Sequence, residues 1–256
     1  MLWDLDGTLI DSEPYWMAEE TLLVEQFGGT WTHEEALQLV GAGLELSAEV
    51  LQNAGVPWET QTIIDHLTDG VMSRIRERTP WRPGARELLA ELRRAQVPTA
   101  LVTMSIRRMA ELVADAVSEI DGNQAFDVIV SGSDVRNAKP HPEAYMSAAS
   151  QLGVDPVDCV AIEDSPTGLT SAVASGARVV GVPLMISLPQ PSVHFRGWVL
   201  WETLEGRTLD DLAEVLRAAR AADAIAPVDS PSDSGPDSGS DSDSGSVPSD
   251  GQVLRP

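Results

Sequence analysis

Short apolar runs alternate with stretches of helical period along most of this chain. TALVT (99–103), DVIVSG (127–132), CVAIED (159–164) and RVVGV (178–182) are rich in Val and Ile and almost continuously apolar, and WVLWE (198–202) reads as an edge strand. Such runs suit strands covered on both faces. Between them lie helical patterns at 84–95, 106–117, 142–152 and 167–175. A strand–helix rhythm of this kind predicts an α/β fold with a doubly wound parallel sheet, its site at the carboxyl ends of the strands.

Residues 14–80 break the rhythm. Helical patterns at 14–27, 33–40, 45–54 and 59–78 follow one another with no strand between them, and Pro80, Pro83 and Gly84 punctuate the return to the sheet. The expected organisation is a sheet-bearing core of residues 1–13 and 81–226 with a small all-helical domain, 14–80, inserted into it. From 227 to 256 the chain is built largely of Asp, Ser, Gly and Pro and holds six aspartates and one arginine. It cannot bury enough apolar surface to offset its ordering entropy, so a solvated tail without fixed structure is expected. Only Met1, Leu2 and Trp3 precede Asp4, fewer residues than a central strand usually has. Either this strand is cut short or translation starts upstream; intact mass of the native protein separates the two.

Composition narrows the function. The net charge of −23 argues against nucleic acid or an anionic membrane as partner, because both demand a basic footprint. No run approaches the roughly 20 consecutive apolar residues that span a bilayer, and MLWDLDGTLI lacks the basic flank of a secretory signal. A single cysteine, Cys159, excludes an internal disulfide and reads as a core strand residue in a soluble, cytoplasmic protein. Nothing in the pattern speaks to oligomeric state. Of the 17 basic residues only Lys139 is lysine, which marks it for a role that needs a compact ammonium.

Four strand ends carry the candidate chemistry. The first leads into Asp4-Leu5-Asp6-Gly7-Thr8. Residues two apart in an extended backbone point the same way, so Asp4 and Asp6 leave the sheet together, and they repel unless a cation or a proton intervenes. Asp and Gly also crowd into ordinary turns. The second strand ends at Thr103, followed by Met104, Ser105 and a helix; the hydroxyl and free N–H groups there would either bind phosphate oxygens or cap the helix, or both. Lys139-Pro140-His141-Pro142 is expected to follow an extended path that holds the lysine, with His141 in a structural role. Glu163-Asp164-Ser165-Pro166 follows the fourth strand. Ser165 and Pro166 read as N-cap and first helical position, but two buried acids need a cation. Magnesium suits them, taking a few carboxylate oxygens and completing its octahedron with water and phosphate.

Together these residues specify a reaction on a small phosphorylated metabolite. Asp4 would attack phosphorus and form an aspartyl-phosphate. Asp6 would protonate the leaving alcohol and then deprotonate water. Thr103, the Met104 backbone and Lys139 would stabilise the phosphoryl oxygens, and Asp4, Asp6, Glu163 and Asp164 would hold Mg2+.

The four segments, in this order over residues 1–205, resemble the haloacid dehalogenase-like (HAD) hydrolase superfamily. The resemblance implies a Rossmann-like core, magnesium, and a small helical cap at 14–80 that closes on hinges near Asp11–Ser12 and Thr79–Pro83. DLDGTLIDSEPYW with LGVDPVDCVAIEDS is similar to the branch of sugar and hexitol phosphate phosphatases and β-phosphoglucomutases. The name-giving dehalogenases lack an acid where Asp6 stands, and phosphonate-cleaving members need a cap lysine that is absent here. The mutases carry a histidine where Trp16 stands and an arginine near Leu44. The resemblance therefore implies a phosphatase, with a mutase and a non-catalytic binding protein as the alternatives. Trp16, Trp31, Gly41, Leu44 and Glu45 are candidates to face the substrate, Trp16 being equally a candidate for cap core; Arg74, Arg76 and Arg78 read as a solvated face.

Overall fold

The structure, a computed structural model, describes residues 1–121, 124–189 and 198–225. Six parallel strands form one sheet in the order β3-β2-β1-β4-β5-β6: β1 (Leu2–Trp3), β2 (Ala100–Val102), β3 (Val128–Val130), β4 (Val160–Glu163), β5 (Arg178–Gly181) and β6 (Trp198–Leu200). The fold is α/β, a Rossmann-like doubly wound sheet. β1 is short yet central, pairing Trp3 with Leu101 on one side and Ile162 on the other, and the Asp4 N–H extends the ladder to Ile162 O at 3.1 Å.

The near-continuous apolarity of the strands has its reason in two packed faces. Trp3, Leu101, Ile162 and Val180 join one buried cluster with helices α5 (Ala85–Arg94), α6 (Arg107–Asp121) and α9 (Leu209–Ile225). Leu2, Ala100, Val102, Ala161 and Val179, one residue out of phase, join another with α7 (Glu143–Leu152) and α8 (Pro166–Ala174). The alternation is the period of two expected of an extended chain with both faces covered.

Between β1 and α5 the chain makes only helices: α1 (Glu13–Gln26), α2 (His33–Leu37), α3 (Leu44–Asn53) and α4 (Thr60–Glu77). Leu23, Val24, Trp31, Leu51, Ile63 and Leu67 form a third apolar cluster among them. α4 is shared: its Val71, Met72 and Ile75 lie in the cluster under the sheet, and Arg108 of α6 is paired with Asp65 and Asp69 on its exposed side. Residues 1–224 group as one compact unit. The two chain passages that join helices to sheet run antiparallel, with Ile10 bridged to Trp81 and the Asp11 N–H donating to Pro80 O at 2.8 Å.

The strands and helices lie where the apolar patterns place them, within a few residues at the ends. α9 was not anticipated, although Thr208 and Asp211 exchange hydrogen bonds at its start and its Leu212 is buried. The expectation of an unstructured tail from 227 falls outside the described residues. Among those described, no helix is long and apolar enough to cross a membrane.

Candidate active site

The strand order reverses beside β1, where the chain builds β2 and β3 on one side and β4 to β6 on the other. A crevice opens at the carboxyl ends of strands at such a point. Asp4 follows β1, Thr103 follows β2, and Glu163–Asp164 stand at the end of β4, so the topology alone brings three of the four segments together.

The fourth arrives from the loop before α7. Lys139 Nζ donates to Asp4 Oδ1 at 2.7 Å, to Glu163 Oε1 at 2.7 Å and to Val102 O at 2.9 Å. Its side chain is 5% exposed. Tyr145 of α7, fully buried, donates its hydroxyl to Glu163 Oε1 and lies 3.2 Å from Lys139 Nζ. The loop that delivers the lysine is not the extended path expected of its two prolines. It is a turn, with the His141 N–H on Ala138 O and a cis Lys139–Pro140 peptide. The His141 carbonyl accepts from Ser171 Oγ at 2.7 Å.

Asp4, Glu163 and Asp164 each offer a carboxylate oxygen within 4.8 Å of the others. Burial pushes the Asp4 carboxyl up to about 7, Glu163 adding to the effect and Lys139 opposing it. Asp164 is raised well above the carboxylate range by burial, then by Asp4 and Glu163. Two buried acids and the half-buried Asp164 beside one ammonium are short of positive charge. Their donor atoms are all hard oxygens, so the set fits a magnesium ion. Two glycines allow the cluster to close. A Cβ at Gly7, which has φ +80°, would fall 1.9 Å from Asp164 Oδ2, and one at Gly168 would fall 2.0 Å from both oxygens of Glu163. Ser165 caps α8 through the Gly168 N–H, as its place before Pro166 predicts.

The Asp6 carboxylate is not one of these three groups. Three hydroxyls hold its carboxylate: Ser12 at 2.6 Å, Ser105 at 2.6 Å and Thr103 at 3.3 Å. A hydroxyl can donate or accept, so this setting accommodates Asp6 with or without a proton. Ser12 precedes α1 without capping it, its hydroxyl being engaged here. Thr103 Oγ1 also accepts the Ser105 N–H at 2.9 Å, and Met104 Sδ accepts the Lys139 N–H at 3.3 Å.

Above these residues lies a cavity of about 480 Å³ between the strand ends and α1, α3 and α4. Asp4, Asp6, Thr103, Met104, Lys139 and Asp164 line one side, and Trp16, Gly41, Leu44 and Glu45 the other. Trp31 does not reach it: the indole is buried in the helical cluster and donates to Glu20 at 3.3 Å. Of the three arginines read as a solvated face, Arg76 and Arg78 are exposed and Arg74 is paired with Glu19. Six carboxylates and, among the described lining residues, one cation surround this space. Ser12, Ser105, Tyr145, Glu13 and Glu20 were not foreseen. No periodicity marks a hydroxyl or an acid whose partner is chosen by tertiary contact, such as Ser105 facing Asp6 from 99 positions away.

Residues 1–182 match the family model described as haloacid dehalogenase-like hydrolase. The chain belongs to this family. It is 31% identical over 186 residues to hexitol phosphatase B of Escherichia coli (strain K12), covering 71% of this chain and 82% of the relative. It is 28% identical over 187 residues to a phosphorylated carbohydrates phosphatase of Thermotoga maritima, covering 71% and 84%. Among solved structures, CbbY from Rhodobacter sphaeroides in complex with xylulose-(1,5)bisphosphate matches with a TM-score of 0.69 and 28% identity, over 82% of this chain and 97% of that one.

This hydrolase carries a pH signature apart from Asp4 and Asp164. Burial, reinforced by Asp6 and Glu20, pushes Glu13 up to about 8, and burial, opposed by the Trp31 N–H, pushes Glu20 up to about 7. Folded-state values above the unfolded ones mean that their stabilising share is complete below about pH 4.5 and is lost as pH rises through 7 to 8. In chelator, the thermal midpoint is therefore expected to fall between pH 5 and pH 8. Glu20→Gln, which keeps an acceptor for Trp31, should remove on the order of 1–3 kcal/mol of that fall. An equal fall in both proteins, followed by calorimetry, would show that Glu20 is ionised without cost.

Proposed function

We propose that this phosphatase hydrolyses small sugar or sugar-alcohol phosphate monoesters with the help of Mg2+, by way of an aspartyl-phosphate on Asp4. The observation that carries the reading is the buried Asp4, its Oδ1 fixed by Lys139, at the floor of a cavity that also holds Asp6. Support for the substrate class comes from the relatives named for hexitol and carbohydrate phosphates.

Lys139 takes one oxygen of Asp4 and leaves Oδ2 to attack phosphorus. As the new O–P bond forms and the ester O–P bond breaks, Asp6 gives its proton to the departing alcohol oxygen. Water then attacks the phosphoryl group with Asp6 taking a proton from it, and the P–O bond to Asp4 breaks with release of inorganic phosphate. Ser12 and Ser105 hold Asp6 through both states. Thr103 and the Met104 backbone lie beside the phosphoryl position, and the Lys139 ammonium opposes charge building there. Asp4, Asp164 and Glu163 would hold the magnesium ion, which when bound supplies positive charge to the phosphoryl oxygens. Residues 14–80 act as a cap on a core of 1–13 and 81–226, with Trp16, Gly41 and Leu44 reading the leaving group.

The test is phosphate release from a panel of hexose, hexitol and nucleoside monophosphates, with Mg2+ and with chelator. Release from the sugar compounds that chelator abolishes and Mg2+ restores is expected. Isomerised sugar phosphate without free phosphate would mark a mutase instead. Silence from a folded, magnesium-loaded protein would end the phosphatase reading.

A further inference from the structure

Tyr145 reaches the centre of the site from behind, without lining the cavity. It is fully buried, in the apolar cluster that holds Leu2, Val102, Ala148 and Leu169. Phenylalanine would fill that place equally well by shape, so packing does not explain the hydroxyl. Desolvating a hydroxyl costs free energy that a hydrogen bond must offset, and here that bond goes to Glu163 Oε1. The centroid of the ring also lies 4.9 Å from Lys139 Nζ, within reach of a cation–π contact.

The consequence falls on the lysine. An ammonium has three protons to give. Around Lys139 Nζ stand four oxygens: Asp4 Oδ1 and Glu163 Oε1 at 2.7 Å, Val102 O at 2.9 Å and the Tyr145 hydroxyl at 3.2 Å. The hydroxyl is the most distant, so the protons go to the two carboxylates and the carbonyl. Glu163 Oε1 then receives two donors, one from Lys139 and one from Tyr145. Without the second, this fully buried oxygen would depend on the ammonium alone and compete for it with Asp4. We infer that Tyr145 is a positioning residue. By giving Glu163 a donor of its own, it leaves the Lys139 ammonium shared with Asp4 Oδ1 and keeps Asp4 Oδ2 aimed at phosphorus. The inference rests on the phosphatase reading above and deepens it.

The experiment compares the full chain with Tyr145→Phe, which removes the hydroxyl and keeps the ring. With Mg2+, on p-nitrophenyl phosphate and on the best sugar phosphate of the panel above, kcat is expected to fall about tenfold or more while KM stays within about twofold. The melting midpoint should drop by no more than about 10 °C, so the variant is folded during the assay. A second readout needs neither metal nor turnover. Lys139 is the one lysine of the chain, so isotopic labelling of lysine nitrogen gives a single ammonium signal by NMR. In chelator, exchange of its protons with water should be about fivefold or more faster in the variant. A parent-like kcat, a loss confined to KM, or ammonium exchange unchanged by the substitution would overturn the inference and leave the phosphatase intact. A parent that releases no phosphate from any compound would end the phosphatase reading, and the ammonium exchange would still decide whether Tyr145 holds the lysine.

Discussion

Asp4→Asn is expected to lower phosphate release by at least about 10⁴-fold, the scale on which enzymes lose activity when a covalent nucleophile is removed. The carboxamide has nearly the same shape and keeps an oxygen for Lys139, but it cannot form the acyl phosphate. Its folding should be little changed, because Lys139 retains Glu163 at 2.7 Å and the Val102 carbonyl at 2.9 Å, and because the position sheds an ionisation that burial already opposes. Single-turnover assays beside a thermal melt separate the two effects. A variant that melts with the parent and keeps a tenth of its rate would assign the nucleophile elsewhere.

Lys139→Met is expected to act on both stability and rate. The methionine fills most of the volume, yet Asp4, Glu163 and Asp164 lose the ammonium that stood among them. Removing one partner from a buried ion pair costs about 3–5 kcal/mol, which in a domain of this size lowers the melting midpoint by roughly 6–20 °C. Two responses limit the damage: the acids can take up protons, and added Mg2+ can restore positive charge. The loss should therefore be greatest in chelator at pH 8 and smaller with Mg2+ or at pH 5, while phosphate release stays depressed by about 10³-fold or more. A melting midpoint indifferent to the substitution in chelator would mean that the ammonium contributes nothing to holding the acids together.

Much of the candidate site was legible because it sits at strand ends. Asp4, Thr103, Glu163 and Asp164 directly follow or end apolar runs, and a parallel sheet places such residues along one edge whatever the loops do. Lys139 was marked differently, as the lone lysine of the chain, but its route was misread. Two prolines admit both extended and turned paths, and the chain takes the turn, with the His141 N–H on Ala138 O. α9 was not read from the sequence although Thr208 and Asp211 exchange hydrogen bonds at its start.

The chain's own pattern determined the fold class, the run of helices between β1 and α5 and the strand-end positions of Asp4, Thr103, Glu163 and Asp164, since hydrophobic period and strand-end position are local properties. Tertiary structure alone decided the rest. It set Asp6 among Ser12, Thr103 and Ser105, brought Tyr145 to Glu163, left Trp31 in the helical core, and turned Glu13, Glu20 and Glu45 into the cavity. Each outcome depends on which side chains meet across long sequence separations, and Coulomb and hydrogen-bond energies are set by distance and burial that no linear spacing records.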